Sequence, residues 1–272
     1  MKALKLVERN MRGDLGTAMQ EIDKEIAGLK AGAKGGRDKA VKARVLIEHW
    51  RNGWADAKVL EQAGALAVLG VDEDDGDFYT HWKKAYTLKY RARSRGWGQM
   101  TEALSHYARA LANLAEDDPT NTDALRSVLI DRGETFVYLS QADVGLVEME
   151  RALALKGTPQ DWHVWAYAFA LHQNGDYKKS ADKLAPFLKG KPADDLYYND
   201  MRLIIAASLA RAGKKSEAQA MIREFRKNRN AEGEPVWTVG LELERGCFLP
   251  GSPGEAHWRE SLEMLDAAAL PR

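Results

Sequence analysis

Cys247 is the only cysteine in 272 residues, so no disulfide forms within the chain, and a reducing compartment fits. Neither sign of charge is in excess: Lys plus Arg and Asp plus Glu are both 40. That balance removes the whole-chain attraction that nucleic acid or an anionic membrane calls for. No stretch approaches the roughly 20 apolar residues that span a bilayer. Residues 1–14 interleave Lys2, Lys5, Glu8, Arg9 and Arg12 with apolar side chains, where a secretory signal needs an unbroken apolar run. The expectation is a soluble, cytoplasmic protein with no nucleic-acid partner and no membrane insertion.

Strand signals are missing as well, since no sustained apolar alternation lies between turn residues. Helical periodicity runs almost throughout. Prolines stand at element boundaries (Pro119, Pro159, Pro192, Pro235, Pro250, Pro253), and Pro186 alone sits inside a helical pattern. Patterns that carry chemistry are equally scarce. The acidic run Asp72 to Asp77 places Asp77 and Lys83 where a calcium loop needs glycine and glutamate. His49, His81, His106, His163, His172 and His257 include no ligand-like i, i+4 pair, and Cys247 has no CxxC partner. Residues 31–37 are glycine-rich without GxxxxGK[ST], which makes them a flexible connector. Gly251-Ser252-Pro253-Gly254 is not GxSxG, and a proline after the serine deletes an oxyanion-hole amide. No metal, no cofactor and no enzymatic activity are expected.

What is present is an internal repeat. Gly175 (in Gly175-Asp176-Tyr177), Ser180 (in Ser180-Ala181) and Phe187 recur in the next unit as Gly213, Ala218 (in Glu217-Ala218) and Phe225, and Pro192 closes the first of the two. The units are 84–117, 126–157, 161–192 and 199–230, with small residues such as Gly133, Ser180, Ala206 and Ala218 where two helices must cross closely. One helix pair cannot bury its apolar stripe alone, so such units stack. Asp72 to Asp77 marks a boundary, which divides the chain into degenerate N-terminal pairs (1–71), central repeats (72–236) and a C-terminal capping pair (237–272). In that last pair Arg259, Glu260, Glu263 and Asp266 supply a polar outer face.

These units resemble the tetratricopeptide repeat family, whose period is about 34 residues. The family's helix-A tryptophan position is Val164 here, and its Leu-Gly pair reads Tyr167-Ala168. The resemblance implies an all-α, right-handed α-solenoid of about seven antiparallel helix pairs. It also implies a non-enzymatic scaffold that binds a partner peptide or protein segment in a concave groove lined by helices A.

Carried onto this chain, the groove positions fall on Trp162, Trp165, Phe169, His172 and Gln173, a stripe at spacings of three and four. Glu134 and Tyr138 flank it from the unit before, and Asp200, Leu203 and Arg211 from the unit after. A core-facing helix carries the same spacing, so groove and core are both readings of the stripe; because Tyr167, Ala168 and Leu171 already fill the packing positions, the groove is the reading carried forward. The family's Lys/Asn clamp for a C-terminal carboxylate is replaced by Leu88, Ala92 and Gly96, then Ile130, Glu134 and Tyr138. The ligand expected is therefore an apolar or aromatic segment. Lys84, Arg91 and Arg95, within the cluster Lys83 to Arg95, offer a patch for an acidic ligand or a charge balance for residues 72–77. Self-assembly into a homo-oligomer and sensing of a small molecule or signalling peptide are the alternatives.

Overall fold

The computed structural model of the chain describes residues 35–51, 55–115, 118–190, 199–223 and 238–267. Residues 1–34 of the expected N-terminal pairs and Pro192 of the repeat lie outside them. Every regular element among the described residues is helical. They fall into two units, residues 1–121 and 122–272.

In the first unit, α1 (Gly35–Arg51) pairs with α2 (Lys58–Glu73), and α3 (Phe78–Arg95) pairs with α4 (Trp97–Ala112). The α3 helix packs on both helices of the preceding pair, which is how stacked pairs make one continuous core. Asp77 starts α3 by accepting the Tyr79 amide, and Arg37 donates to the same carboxylate at 2.6 Å. The connector expected over residues 31–37 is corrected from Gly35 onward, where the chain is already helical. A Cβ on Gly36 would lie 2.5 Å from the Gly70 carbonyl oxygen, so these glycines serve a close helix crossing and not flexibility.

The second unit holds three helix pairs: α5 (Thr122–Tyr138) with α6 (Ala142–Ala154), α7 (Asp161–Gln173) with α8 (Tyr177–Leu188), and α9 (Asn199–Arg211) with α10 (Lys215–Ile222). Helices α5, α7 and α9 touch in sequence, and α6 and α8 each contact the first helix of the next pair. The unit is thus an α-solenoid of stacked pairs. Its crossings use the small residues read from the sequence. A Cβ on Gly145 would meet the Gly133 oxygen at 2.5 Å, and Ser180 Oγ donates to the Ala168 oxygen at 2.7 Å.

All three pairs turn in one way. The Asp176 amide donates to the Leu171 oxygen at 2.9 Å and the Gly175 amide to the His172 oxygen at 3.0 Å. Lys214 and Gly213 repeat this with Leu209 and Ala210 at 2.8 and 3.0 Å, and Gln141 and Ser140 with Phe136 and Val137, both at 2.9 Å. This double bond at a helix end requires a left-handed residue, supplied by Gly175 (φ 86°), Gly213 (φ 82°) and, without glycine, Ser140 (φ 64°).

Two further helices of the unit lie among the described residues, α11 (Val239–Arg245) and α12 (Pro253–Ala267). The α12 helix lies against α5, α7 and α9, the first helices of all three pairs, and also contacts α10 and α11.

Candidate functional site

The face formed by α5, α7 and α9 carries the residues that the repeat pattern singled out. Spacings of three and four put Trp162, Trp165, Phe169, His172 and Gln173 along α7. Tyr138 and Glu134 come from α5; Asp200, Leu203 and Arg211 come from α9. Their exposure differs sharply. Trp162 is 36% exposed, whereas Phe169 is 4% and His172 0% exposed. Glu134, Tyr138 and Leu203 are also buried, Trp165, Gln173 and Arg211 are half-buried, and Asp200 is exposed.

The cover over this face is the chain's own C-terminal segment. Phe248 stands edge-on to Tyr138 at 4.8 Å and tilted against Phe169 at 5.9 Å, centroid to centroid. Trp258 of α12 meets the rings of Phe169 and His172, both at 5.2 Å and nearly perpendicular. Trp165 stacks on Phe169 at 5.8 Å. Edge-to-face and offset pairs of this kind add to the burial of aromatic area.

Polar side chains then fix the helix in register. Ser180 donates to the Ala168 oxygen and Ser208 to Ser180 Oγ, so His172 Nδ1 must carry a proton and donate to Ser208 Oγ at 2.9 Å. Its Nε2 then lies 3.0 Å from Ser261 Oγ of α12, whose single proton is shared between that nitrogen and the His257 carbonyl at 2.8 Å. Arg211 donates to Ser261 Oγ, to the His257 carbonyl and to Glu260, each at 2.9 Å. His257 Nδ1 donates to Gln173 Oε1 at 3.2 Å, which leaves Nε2 to accept from the Tyr177 hydroxyl at 2.9 Å. Burial, then His257 and Arg211, hold His172 well below its ordinary pKa, and burial and Arg211 lower that of His257. Both rings are thus neutral at pH 7, as these bonds need. Two donors on α7, Trp165 Nε1 and Gln173 Nε2, are buried and meet no acceptor among the described residues.

The basic residues Lys84, Arg91 and Arg95 stand apart from this face in the chain. They belong to the first unit, where Arg91 and Arg95 both pair with Glu61 at 2.8 Å and Lys84 pairs with Glu102 at 3.5 Å. Lys83 lies 3.1 Å from the centre of the Trp82 ring, and Lys89 4.9 Å from that of Tyr86. Among the described residues no group of three His, Cys, Asp or Glu side chains could hold a metal ion, and no helix is long and apolar enough to cross a membrane.

No protein-family model and no curated protein matches the sequence. Among solved structures, a tetratricopeptide repeat protein from Parabacteroides merdae ATCC 43184 aligns with a TM-score of 0.50 and 15% identity, over 99% of this chain and 94% of its own. YrrB, described as a TPR protein with an unusual peptide-binding site, aligns with a TM-score of 0.43 and 16% identity, over 75% of this chain and 89% of its own. The chain has a tetratricopeptide-repeat-like fold.

In tetratricopeptide-like terms α5, α7 and α9 are helices A of successive degenerate repeats. The residues that sequence reasoning did not connect to their face are Ser140, Phe248, His257, Trp258 and Ser261. One signal for Ser140 was available, because it occupies the turn position filled by Gly175 and Gly213 in the other two repeats. For Trp258 and Ser261 helical periodicity located the helix, but nothing local says against what it packs.

Proposed function

We propose that this protein is a non-enzymatic interaction scaffold whose helix-A face, within residues 122–223, receives an apolar and aromatic helical segment of another protein. One observation carries the reading. In this chain that face already holds a helix, seated by ring contacts to Phe169 and by hydrogen bonds between its side chains and those of His172, Gln173 and Arg211. A tetratricopeptide-like stack supports it, since such stacks offer extended surfaces for partner chains. Aromatic anchors such as Trp162 and Trp165 bury much area at small entropic cost.

The test is quantitative affinity capture with the full chain as bait. Wild type is compared with the Trp162→Ala/Trp165→Ala double variant and with Val147→Ser, which alters an exposed residue of α6. Partners retained by wild type and Val147→Ser should be lost from the double variant, while helical circular dichroism stays unchanged. Equal capture by all three sinks the assignment.

A further inference from the structure

We infer that residues 247–265 are an exchangeable occupant of the helix-A face, standing where a partner helix docks. The partner would bring an aromatic side chain in place of Trp258 together with hydrogen-bond acceptors for Trp165 and Gln173. The inference rests on the function proposed above and names what competes for that site.

Position is the first ground. The α12 helix contacts the first helix of every pair in its unit, the surface on which a bound segment of another chain would lie. Interface chemistry is the second. Within the pairs, helices meet at backbone distance, as at Gly133 and Gly145, with isolated side-chain bonds such as Arg132 to Glu148 beside the crossing. The α12 helix meets its face through the Trp258 ring on Phe169 and His172 and through side-chain hydrogen bonds, with Ser261 between His172 and Arg211, His257 between Gln173 and Tyr177, and the Gly254 amide on Ser140 Oγ. Aromatic anchors beside a run of hydrogen bonds are also what joins separable chains.

The third ground is what α12 leaves undone. Trp165 Nε1 and Gln173 Nε2 are buried without acceptors among the described residues, and an unpaired buried donor forfeits the hydrogen bond that water would supply. A segment that offers a carboxylate, amide or free carbonyl oxygen at those two atoms makes bonds that α12 does not. Because α12 is tethered, it competes at high effective concentration, and the partner's apparent affinity falls by the fraction of molecules with the face open.

Two measurements test this on the full chain. Native-state hydrogen exchange of wild type should show amides of residues 253–267 opening together, at least tenfold more often than those of α7 and α9. Exchange of 253–267 only through global unfolding overturns the inference. In that case loss of capture by the Trp162→Ala/Trp165→Ala variant still upholds the scaffold function, so the two ideas fail separately. Trp165→Phe, which deletes one unpaired donor, should slow exchange of the same amides; no slowing overturns the assignment of partner acceptors. Second, a fluorescein-labelled peptide of residues 247–267 should bind the full-length Trp258→Ala variant at least tenfold more tightly than wild type. Equal affinity for a variant that keeps its helical circular dichroism counts against exchange. If Trp258→Ala does not fold, Ser261→Ala takes its place with the same expectation.

Discussion

Ser140 holds a left-handed backbone, φ 64°, and its hydroxyl accepts the amide of Gly254, 114 residues further on, at 2.8 Å. The equivalent turns at Gly175 and Gly213 use glycine, which adopts that conformation without strain. At Ser140 a side chain is kept despite the conformational cost, and it anchors the first turn of α12. A Cβ on Gly254 would in turn meet Phe248 at 2.7 Å and Ser140 Oγ at 3.0 Å, so the start of α12 fits only as glycine.

Ser140→Ala keeps the backbone strain and loses the bond, which should lower unfolding free energy by about 1 kcal/mol. Ser140→Gly loses the same bond but relieves a left-handed cost of about 1 kcal/mol, so it should unfold close to wild type. Urea denaturation of both variants decides it, and equal destabilisation would show that strain at Ser140 is negligible.

Gly145→Ala should cost about 2 kcal/mol or more, because overpacking of this kind displaces backbone. The added methyl would sit 2.5 Å from the Gly133 carbonyl oxygen, which no rotamer change relieves. Gly98→Ala is the control, since nothing lies within 4 Å of its Cβ position. Thermal melts of the two variants give the comparison.

Arg126 is fully buried and donates to Asp123 at 2.6 Å and to the carbonyls of Leu155 and Lys156 at 3.1 and 2.6 Å. It thereby caps the end of α6 from α5. Arg126→Met fills similar space but leaves those carbonyls without their donor, a loss of about 2 kcal/mol. Denaturation midpoints at constant m-value check the figure.

Acid should destabilise the protein well before its carboxylates titrate. Burial lowers His106 and His163 from 6.5 to about 4, and His172 falls well below 6.5. Between those values the unfolded chain binds protons that the folded chain refuses. The stability is therefore fully present above pH 6.5 and is lost as pH falls from 6.5 towards about 4. His163 has a direct reason, since its Nδ1 accepts the Gln160 amide at 3.0 Å and a proton there removes that acceptor. Urea titrations at pH 7.5 and 5 should separate by more in wild type than in His163→Gln.

Glu61→Gln should change stability by less than about 1 kcal/mol, although Glu61 binds both Arg91 and Arg95 at 2.8 Å. All three charges stand near solvent, where water replaces most of what the pair supplies. A loss above that figure, measured at low and high salt, would show a tighter coupling between α2 and α3.

The repeat itself was legible because its causes are local. A left-handed glycine ends one helix, a small residue permits the next to cross it, and both recur at fixed intervals in the chain. The glycines at 35 and 36 misled for the same reason: composition says that a glycine is permissive, and only the Gly70 oxygen 2.5 Å away says that it is needed for packing. The stripe of Trp162, Trp165, Phe169 and His172 was readable as one face of one helix, but not as open or covered.

From sequence alone came the all-helical class, the stacked pairs with their crossing residues, and the helix near the C-terminus. The tertiary structure alone decided that this helix lies on the first helices of all three pairs and that Arg91 and Arg95 are spent on Glu61. Helix and turn are set by neighbours a few residues apart, so periodicity records them. Docking joins residues as distant as His172 and Ser261, 89 positions apart, and no local preference encodes which apolar face will meet which.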